Sequence, residues 1–193
     1  GALPLLKGER DAEILRRIYS ELPILDRPDN IREDEDRWRA EYATVFHMAN
    51  DSRYFKRREE LEAIGQRMDD RRRFVTDDEV YLPLYEGKYI YHFDHRYGSF
   101  ETVPASKRYG RKATAPTPEL GQLQDSNYEI VPRYWFPKSV WELRRSQKSF
   151  HADFQFHFRD VAGVYPDLRT AVGAIVASGP AGHKAPVLTL RVH

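Results

Sequence analysis

Three side chains near the middle of the chain are of types that bind metal ions. They are His92, Asp94 and His95, and imidazole and carboxylate groups can share a divalent ion. In a strand, however, His92 and Asp94 point to one face, whereas His95 points to the other. We therefore expect a hydrogen-bonded strand end at this position, and we keep an enzyme domain with a metal site here as an alternative.

Positively charged side chains form several clusters of the kind that meets the phosphates of a nucleic acid. The clusters are Arg53 with Lys56 to Arg58, Arg71 to Arg73, the basic stretch Lys107 to Lys112, and Arg133 with Lys138, Arg144, Arg145 and Lys148. Lysine and arginine at this density also occur on surfaces that bind nothing. On charge alone, a solvated surface is therefore favoured over DNA binding.

No motif of a self-contained enzyme is found in the sequence. The chain has no GxxxxGK[ST] phosphate loop, no GxGxxG turn, no HExxH helix and no GxSxG elbow. Nothing in the residue pattern therefore indicates that the chain catalyses a reaction by itself.

The composition is that of a globular protein with an unusually charged surface, since 40% of the residues are hydrophobic and 32% are charged. Lysine and arginine number 31 against 30 acidic residues, and the net charge of +1 does not indicate a uniformly basic nucleic-acid binder. The absence of cysteine excludes disulfides, thiolate zinc sites and cysteine nucleophiles. No apolar run approaches the roughly 20 residues that cross a bilayer, and we expect no membrane partner.

The length of 193 residues fits one domain, or one compact domain with an appended helical piece. The chain begins at Gly1 without a methionine or a signal peptide, and it stops abruptly at Arg191-Val192-His193. We therefore expect it to be a piece of a longer protein, and a processed or trimmed natural chain is the alternative.

Residues 1–70 are expected to form a helical lead-in with an acidic loop, packed on the same core as the rest. Leu15, Ile18 and Leu22 have the spacing of an amphipathic helix that leans one face on that core. The elements expected here are a helix over Asp11 to Leu22 ended by Pro23, a solvated acidic loop over 26 to 41, a short strand over Thr44 to Met48 and a helix over Arg57 to Met68.

Residues 71–193 are expected to form a strand-rich domain. Phe154, Phe156 and Phe158 alternate with polar residues, which predicts a half-buried strand. Further expected elements are one bent strand or two strands over Tyr81 to Phe93, a long proline-rich loop over Thr102 to Asn127, strands over Ile130 to Trp135, Ala171 to Ala177 and Val187 to Val192, and a helix over Val140 to Arg145. The predicted class is α+β, a mixed and mostly antiparallel sheet with a few flanking helices and long loops.

Several segments resemble one protein family, in the same order along the chain. The longest is YLPLYEGKYIYHFDHRYGSF at Tyr81 to Phe100, and the others are TVFHMANDSRYF at 44–55, RREELEAIG at 57–65, IVPRYWFP at 130–137, FRD at 158–160, DLRT at 167–170 and GHKAP at 182–186. They resemble segments of large adenine-N6 DNA methyltransferases of restriction-modification and phage-defence systems, of the type IIG kind. The resemblance extends over most of residues 8 to 190.

The resemblance implies a DNA target-recognition domain similar to the TaqI-like specificity domain, which follows the catalytic domain in such enzymes. The implied partners are double-stranded DNA and the catalytic methyltransferase domain of a parent chain, in the cytoplasm of a bacterium or archaeon. The NPPY-type motif that holds the extruded adenine and the FxGxG loop for S-adenosylmethionine do not occur here. We therefore expect no cofactor and no methyl transfer in this chain, and S-adenosylmethionine in the absent catalytic domain.

Two stretches depart from the family pattern. Val161 to Pro166 is longer than its counterpart, and the proline-rich stretch from 102 to 127 differs throughout. Because specificity-determining parts are expected to differ between such enzymes, the second stretch is a candidate for reading the target.

The expected DNA contacts combine basic side chains with a close backbone approach at Gly87. Lysine and arginine suit both phosphates and the guanine edges of the major groove. The candidate residues are Lys88, His92, Arg96, Lys107, Arg108, Arg111, Lys112, Arg133, Arg159 and Arg169. The alternative function is a protein-interaction module that docks a partner subunit of a defence complex.

Overall fold

The computed structural model describes residues 8–22, 40–110, 112–148, 152–161 and 171–190. The chain separates into two units, Gly1–Glu41 with Leu190–His193 and Tyr42–Thr189. Residues 26 to 39 of the predicted acidic loop lie outside the described residues, and so do Arg111 and Arg169. The packing of residues 1–70 on a common core stays a prediction.

The described elements are five α-helices and seven strands. The helices are α1 (Glu9–Glu21), α2 (Arg58–Ala63), α3 (Ala105–Arg108), α4 (Leu120–Gln124) and α5 (Lys138–Gln147). The strands are β1 (Ala40–Ala43), β2 (Phe74–Val75), β3 (Val80–Pro83), β4 (Trp135–Pro137), β5 (Phe154–Phe158), β6 (Gly173–Ala177) and β7 (Val187–Leu190). Both sheets are antiparallel, so the predicted α+β class is confirmed.

Helix α1 forms where the apolar spacing predicted it. Its surface carries an ion pair between Arg17 and Glu21, four residues apart, at 3.0 Å. None of its residues is buried, and Ile18 is 44% exposed. Among the described residues, no helix is long and apolar enough to cross a membrane.

The three-stranded sheet has the order β2-β3-β4 and carries the fully buried aromatic side chains Phe74, Trp135 and Phe136. Phe136 of β4 packs on Phe46 with ring centroids 4.0 Å apart, and Trp141 of α5 closes this cluster from the helix side. Trp135, which points to the other face of β4, packs edge-on against Phe74 of β2 at 5.1 Å. Two clusters on opposite faces therefore anchor β4.

The four-stranded sheet has the order β1-β7-β5-β6, and its inner face is partly polar. The predicted strand at Phe154 to Phe158 is confirmed as β5, but Gln155 and His157 are its buried residues, at 3% and 1% exposure. Phe154 on the other face is 66% exposed. His157 is satisfied inside because its Nδ1 lies 2.9 Å from the carbonyl oxygen of Ala185.

Several predicted boundaries are wrong, one for a local reason and others because of hydrogen bonds to distant residues. Helix α2 ends at Ala63 instead of Met68 because Gly65 adopts a φ of +82°. Thr44 to Met48 contains only an isolated parallel bridge from Phe46 to Gly182. Strand β4 begins at Trp135 and not at Ile130, since Val131 bonds to the loop residues Ser99 and Phe100 instead of to a strand.

The predicted long loop between Thr102 and Asn127 contains the short helices α3 and α4, which is a correction to the sequence prediction. Pro104 precedes α3, where its missing N–H is not needed. At the start of α4, the backbone N–H of Glu119 donates to Oε1 of Gln122 at 2.9 Å. Likewise, the second half of Tyr81 to Phe93 is a 3-10 turn at Gly87–Tyr89 and a tight turn, not a second strand.

Candidate nucleic-acid interface

Three of the segments that carry the resemblance meet around Gly87. A Cβ atom on Gly87 would lie 2.2 Å from the backbone oxygen of Lys184, so only glycine fits this approach. Nε of Arg159 donates to the backbone oxygens of Gly87 at 3.0 Å and of Ile90 at 2.7 Å. The 81–100, 158–160 and 182–186 segments are thus joined at Gly87 by the close backbone approach of Lys184 and by the side-chain hydrogen bonds of Arg159.

An open groove with a volume of about 650 Å³ lies at this junction. Its cationic lining consists of Lys88, Arg159 and Lys184, and the other lining residues are Gly87, Tyr97, Val161 and residues 113–117. No acidic side chain is among the described residues that line it. This groove, from here on the Gly87 groove, therefore offers positive charge and one aromatic ring to a ligand.

Lys88 lies half-buried in the Gly87 groove. Its Nζ donates to the backbone oxygen of Ala113 at 2.9 Å and lies 5.4 Å from the centre of the Phe100 ring. Burial lowers the pKa of Lys88, and the neighbouring Arg133 lowers it further, while Glu86 raises it. An anion in the groove would favour the charged ammonium and offset its desolvation.

Arg159 is held over two stacked aromatic rings. Its guanidinium carbon lies 5.7 Å from the ring centre of Tyr91 and 5.4 Å from that of Tyr97, and these two rings stack at 4.7 Å. Its hydrogen bonds go to backbone carbonyls, which carry no net charge. The positive charge of Arg159 is therefore positioned without being neutralised by a carboxylate among those contacts.

A buried ion pair between Glu86 and Arg133 lies next to the groove. Nε and Nη2 of Arg133 donate to the two carboxylate oxygens, each at 2.7 Å, and both side chains are only 12% exposed. The hydroxyl of Tyr89 donates to Glu86 at 3.2 Å and accepts from the backbone N–H of Arg133 at 3.1 Å. Although burial lowers the pKa of Arg133, the hydrogen bonds and charge of Glu86 outweigh it and raise that pKa. The guanidinium of Arg133, a predicted phosphate contact, is therefore already engaged in a bidentate ion pair with Glu86.

Lys184 lines the groove and is the most accessible of its cations. Its Nζ pairs with Asp160 at 2.7 Å, with side-chain exposures of 53% and 35%. The preceding residue, His183, stacks on His47 at 4.2 Å, and burial, His47 and Lys184 lower the pKa of His183. The groove and the adjacent Glu86–Arg133 ion pair together contain four cationic and two anionic side chains. The cations are Lys88, Arg133, Arg159 and Lys184, and the carboxylates are Glu86 and Asp160.

A tight turn over Tyr91 to Asp94 projects from the same region. Backbone hydrogen bonds join Tyr91 and Asp94 in both directions, at 2.7 and 3.1 Å. Phe93 at the tip has a φ of +61° and is 83% exposed. Oδ1 of Asp94 accepts from the backbone N–H of Arg96 at 2.7 Å. Among the described residues, no group of three or more His, Cys, Asp or Glu side chains is placed to hold a metal ion, so the 92–95 cluster gains no support as a metal site.

The other predicted DNA contacts fall into two sets. Arg96 donates to the backbone oxygens of Leu123, Asp125 and Tyr128, and Arg108 is 6% exposed and lies 3.6 Å from Glu59. These two side chains therefore hold loops in place. The exposed set comprises His92, Lys107 and Lys112.

Sequence reasoning did not single out Lys184 or Tyr97, and it gave no separate role to Glu86 or Phe93, although both lie in stretches that it expected near the duplex. Lys184 belongs to the GHKAP segment, so a signal for it was present in the resemblance. The role of Glu86 depends on a partner 47 residues away, and the exposure of Phe93 depends on a backbone conformation rare for phenylalanine.

Comparison with known proteins adds no relative to this picture. No protein-family model matches the chain, and neither does a curated protein or a solved structure.

Proposed function

We propose that this chain is the DNA target-recognition part of a site-specific adenine-N6 DNA methyltransferase of a restriction-modification or related defence system. It binds duplex DNA through the Gly87 groove, while methyl transfer and S-adenosylmethionine binding belong to a catalytic domain of the parent chain. The observation that carries this proposal is the convergence of three family-like segments on one cationic groove, which has no acidic side chain among its described lining residues.

The chemistry of the groove suits phosphate more than a neutral ligand. Duplex DNA presents a dense row of negative charges, and each phosphate neutralised by a lysine or arginine releases counterions. Lys184 is more than half exposed and reaches such a phosphate by giving up its pairing with Asp160. Arg159 already stacks on Tyr91 and Tyr97, so it needs little ordering when DNA binds.

The exposed lysines Lys107 and Lys112 extend the basic surface on the chain segment that follows Phe100. Residues 113–117, directly after Lys112, form a wall of the groove. A duplex in the groove therefore also passes a segment with no acid from 102 to 118, which favours backbone contacts there.

The experiment is fluorescence anisotropy of the 193-residue chain with a labelled mixed-sequence duplex over a salt series, with heparin as competitor. We expect steep salt dependence, and Lys184→Ala and Lys112→Ala should each reduce the slope of log K against log salt by about 0.9. Lys138→Ala is the matched control, because Lys138 is a comparably exposed lysine on α5 and is paired with Glu142. Absent low-salt binding, or an equal effect of the control, would contradict the proposal.

A protein-interaction module is the second candidate, because one face of the four-stranded sheet exposes apolar side chains. Phe154 on β5 and Ile175 on β6 are 66% and 65% exposed. A partner subunit of a defence complex would cover such a face. Duplex binding whose affinity does not depend on salt concentration in the anisotropy experiment would favour this candidate over DNA binding.

A further inference from the structure

The tip of the turn at Tyr91 to Asp94 holds a phenylalanine in a strained conformation. Phe93 has a φ of +61°, in the left-handed region that side chains other than those of glycine, asparagine and aspartate rarely adopt. Such conformations persist only where the surroundings impose them, and they concentrate at functional positions.

Arg72 is the other non-glycine residue with positive φ among those described, and its conformation has a structural explanation. Its backbone oxygen accepts from Nε1 of Trp135 at 2.6 Å, and its side chain donates to Glu129 at 3.0 Å and to Glu101 at 3.1 Å. The fold thus gains several contacts from the strain at Arg72. Among the described residues, the side chain of Phe93 makes no comparable contact, since its ring is 83% exposed and its ring contact is the neighbouring His92 at 4.1 Å.

The backbone of the tip is held firmly. The N–H of Phe93 donates to the backbone oxygen of Gly173 at 2.9 Å, and the two hydrogen bonds between Tyr91 and Asp94 close the turn below it. Tyr91 lies under the guanidinium of Arg159, which lines the Gly87 groove. The exposed ring is therefore carried on a rigid support that is directly attached to the cationic groove.

We propose that Phe93 is a wedge that inserts its ring between adjacent base pairs of the duplex held in the Gly87 groove. This inference rests on the proposed function. Apolar side chains are used in this way to unstack a base step partially and bend the duplex, while nearby cations hold the phosphates. Because phenylalanine has no hydrogen-bonding group, the wedge reads deformability, and it favours flexible pyrimidine–purine steps such as TA over stiff A-tracts.

The test uses duplexes in which 2-aminopurine replaces the adenine of a TA step, since its fluorescence rises when its neighbours unstack. Binding of the 193-residue chain is expected to raise the fluorescence several-fold at the TA step and little within an A-tract. In Phe93→Ala the rise should vanish, while the salt slope of binding measured by anisotropy stays unchanged. Phe154→Ala is the matched control, because Phe154 is an exposed phenylalanine on β5 at 66% exposure.

Circular dichroism of each variant checks that the fold is intact, and Phe93→Gly, which suits a positive φ, gives a second variant without the ring. Salt-dependent binding without a fluorescence rise in the unaltered chain would refute the wedge and leave the proposed function standing. A rise that survives in Phe93→Ala and Phe93→Gly would also refute it. No salt-dependent binding at all would overturn the proposed function and the wedge with it.

Discussion

Replacing Glu86 by glutamine should destabilise the fold far more than the same change in a surface ion pair. Both carboxylate oxygens accept hydrogen bonds from Arg133 at 2.7 Å, and the two side chains are 12% exposed. Glu86→Gln keeps the shape of the side chain but leaves the guanidinium charged and largely buried. Breaking a buried pair on one side costs about 3 to 5 kcal/mol, and the partial exposure here favours the lower end.

The assay is urea denaturation followed by circular dichroism, with the midpoint and the slope fitted separately. Glu142→Gln is the control, because its pair with Lys138 at 3.4 Å has side-chain exposures of 59% and 49%. Exposed pairs of this kind contribute roughly 0.2 to 1 kcal/mol, so the two variants should differ by at least about 2 kcal/mol.

A double variant separates the charge from the packing. Glu86→Gln combined with Arg133→Met removes the uncompensated charge and should recover part of the loss, because replacing both members of a buried pair is often neutral. A loss in Glu86→Gln no larger than in Glu142→Gln would refute the reasoning that this pair is a structural element of the site. So would a double variant that is as unstable as the sum of the two single changes.

Three further predictions concern Gly87, Phe93 and His157. Gly87→Ala should destabilise the fold by about 1 to 3 kcal/mol in urea, because its Cβ would meet the backbone oxygen of Lys184 at 2.2 Å, whereas Gly121→Ala, with no atom within 4 Å, should be neutral or stabilising. Phe93→Gly should leave stability unchanged or raise it by up to about 1 kcal/mol, since relief of the left-handed strain is offset only by backbone entropy; a clear loss in the same assay would contradict this. Burial lowers the pKa of His157 below 6.5, with partial opposition from its hydrogen bond to the oxygen of Ala185. At pH values below 6.5 the unfolded chain therefore binds a proton at His157 more readily than the folded chain does. The free energy of unfolding should then fall with decreasing pH, by at most about 1.4 kcal/mol per pH unit. His157→Gln should reduce this dependence, as measured by urea denaturation at several pH values.

Local periodicity predicted the elements whose formation depends on neighbouring residues. The alternation at Phe154 to Phe158 gave a strand with the right bounds, because backbone direction and side-chain direction are coupled in a strand. It did not reveal which face is buried. That choice depends on Gly173, whose missing side chain leaves room for the ring of Phe156, and on the carbonyl of Ala185 that satisfies His157, and both lie in other strands or turns.

Elements fixed by distant partners could not be located from the sequence. Val131 looks like part of a strand, yet its N–H donates to Oγ of Ser99, 32 residues away, and the ladder of β4 starts only at Trp135. The groove has the same character. Its segments were singled out in the sequence by the family resemblance that underlies the proposed function, but their meeting at Gly87 depends on the tertiary fold and is not predicted by any spacing.

Net charge along the sequence is a poor guide to the charge that DNA would meet, because folding uses many of the cations internally. Arg96 and Arg108 donate hydrogen bonds to backbone carbonyl oxygens, and the guanidinium of Arg133 is paired with the carboxylate of Glu86. Alanine at any of these three positions should lower stability first and DNA affinity only as a consequence. The salt slope separates the two effects, since a lost phosphate contact reduces it whereas a partly unfolded population lowers the apparent affinity at every salt concentration. Lys112 and Lys184, whose side chains reach solvent, are therefore the positions where charge and DNA binding can be measured without the fold intervening.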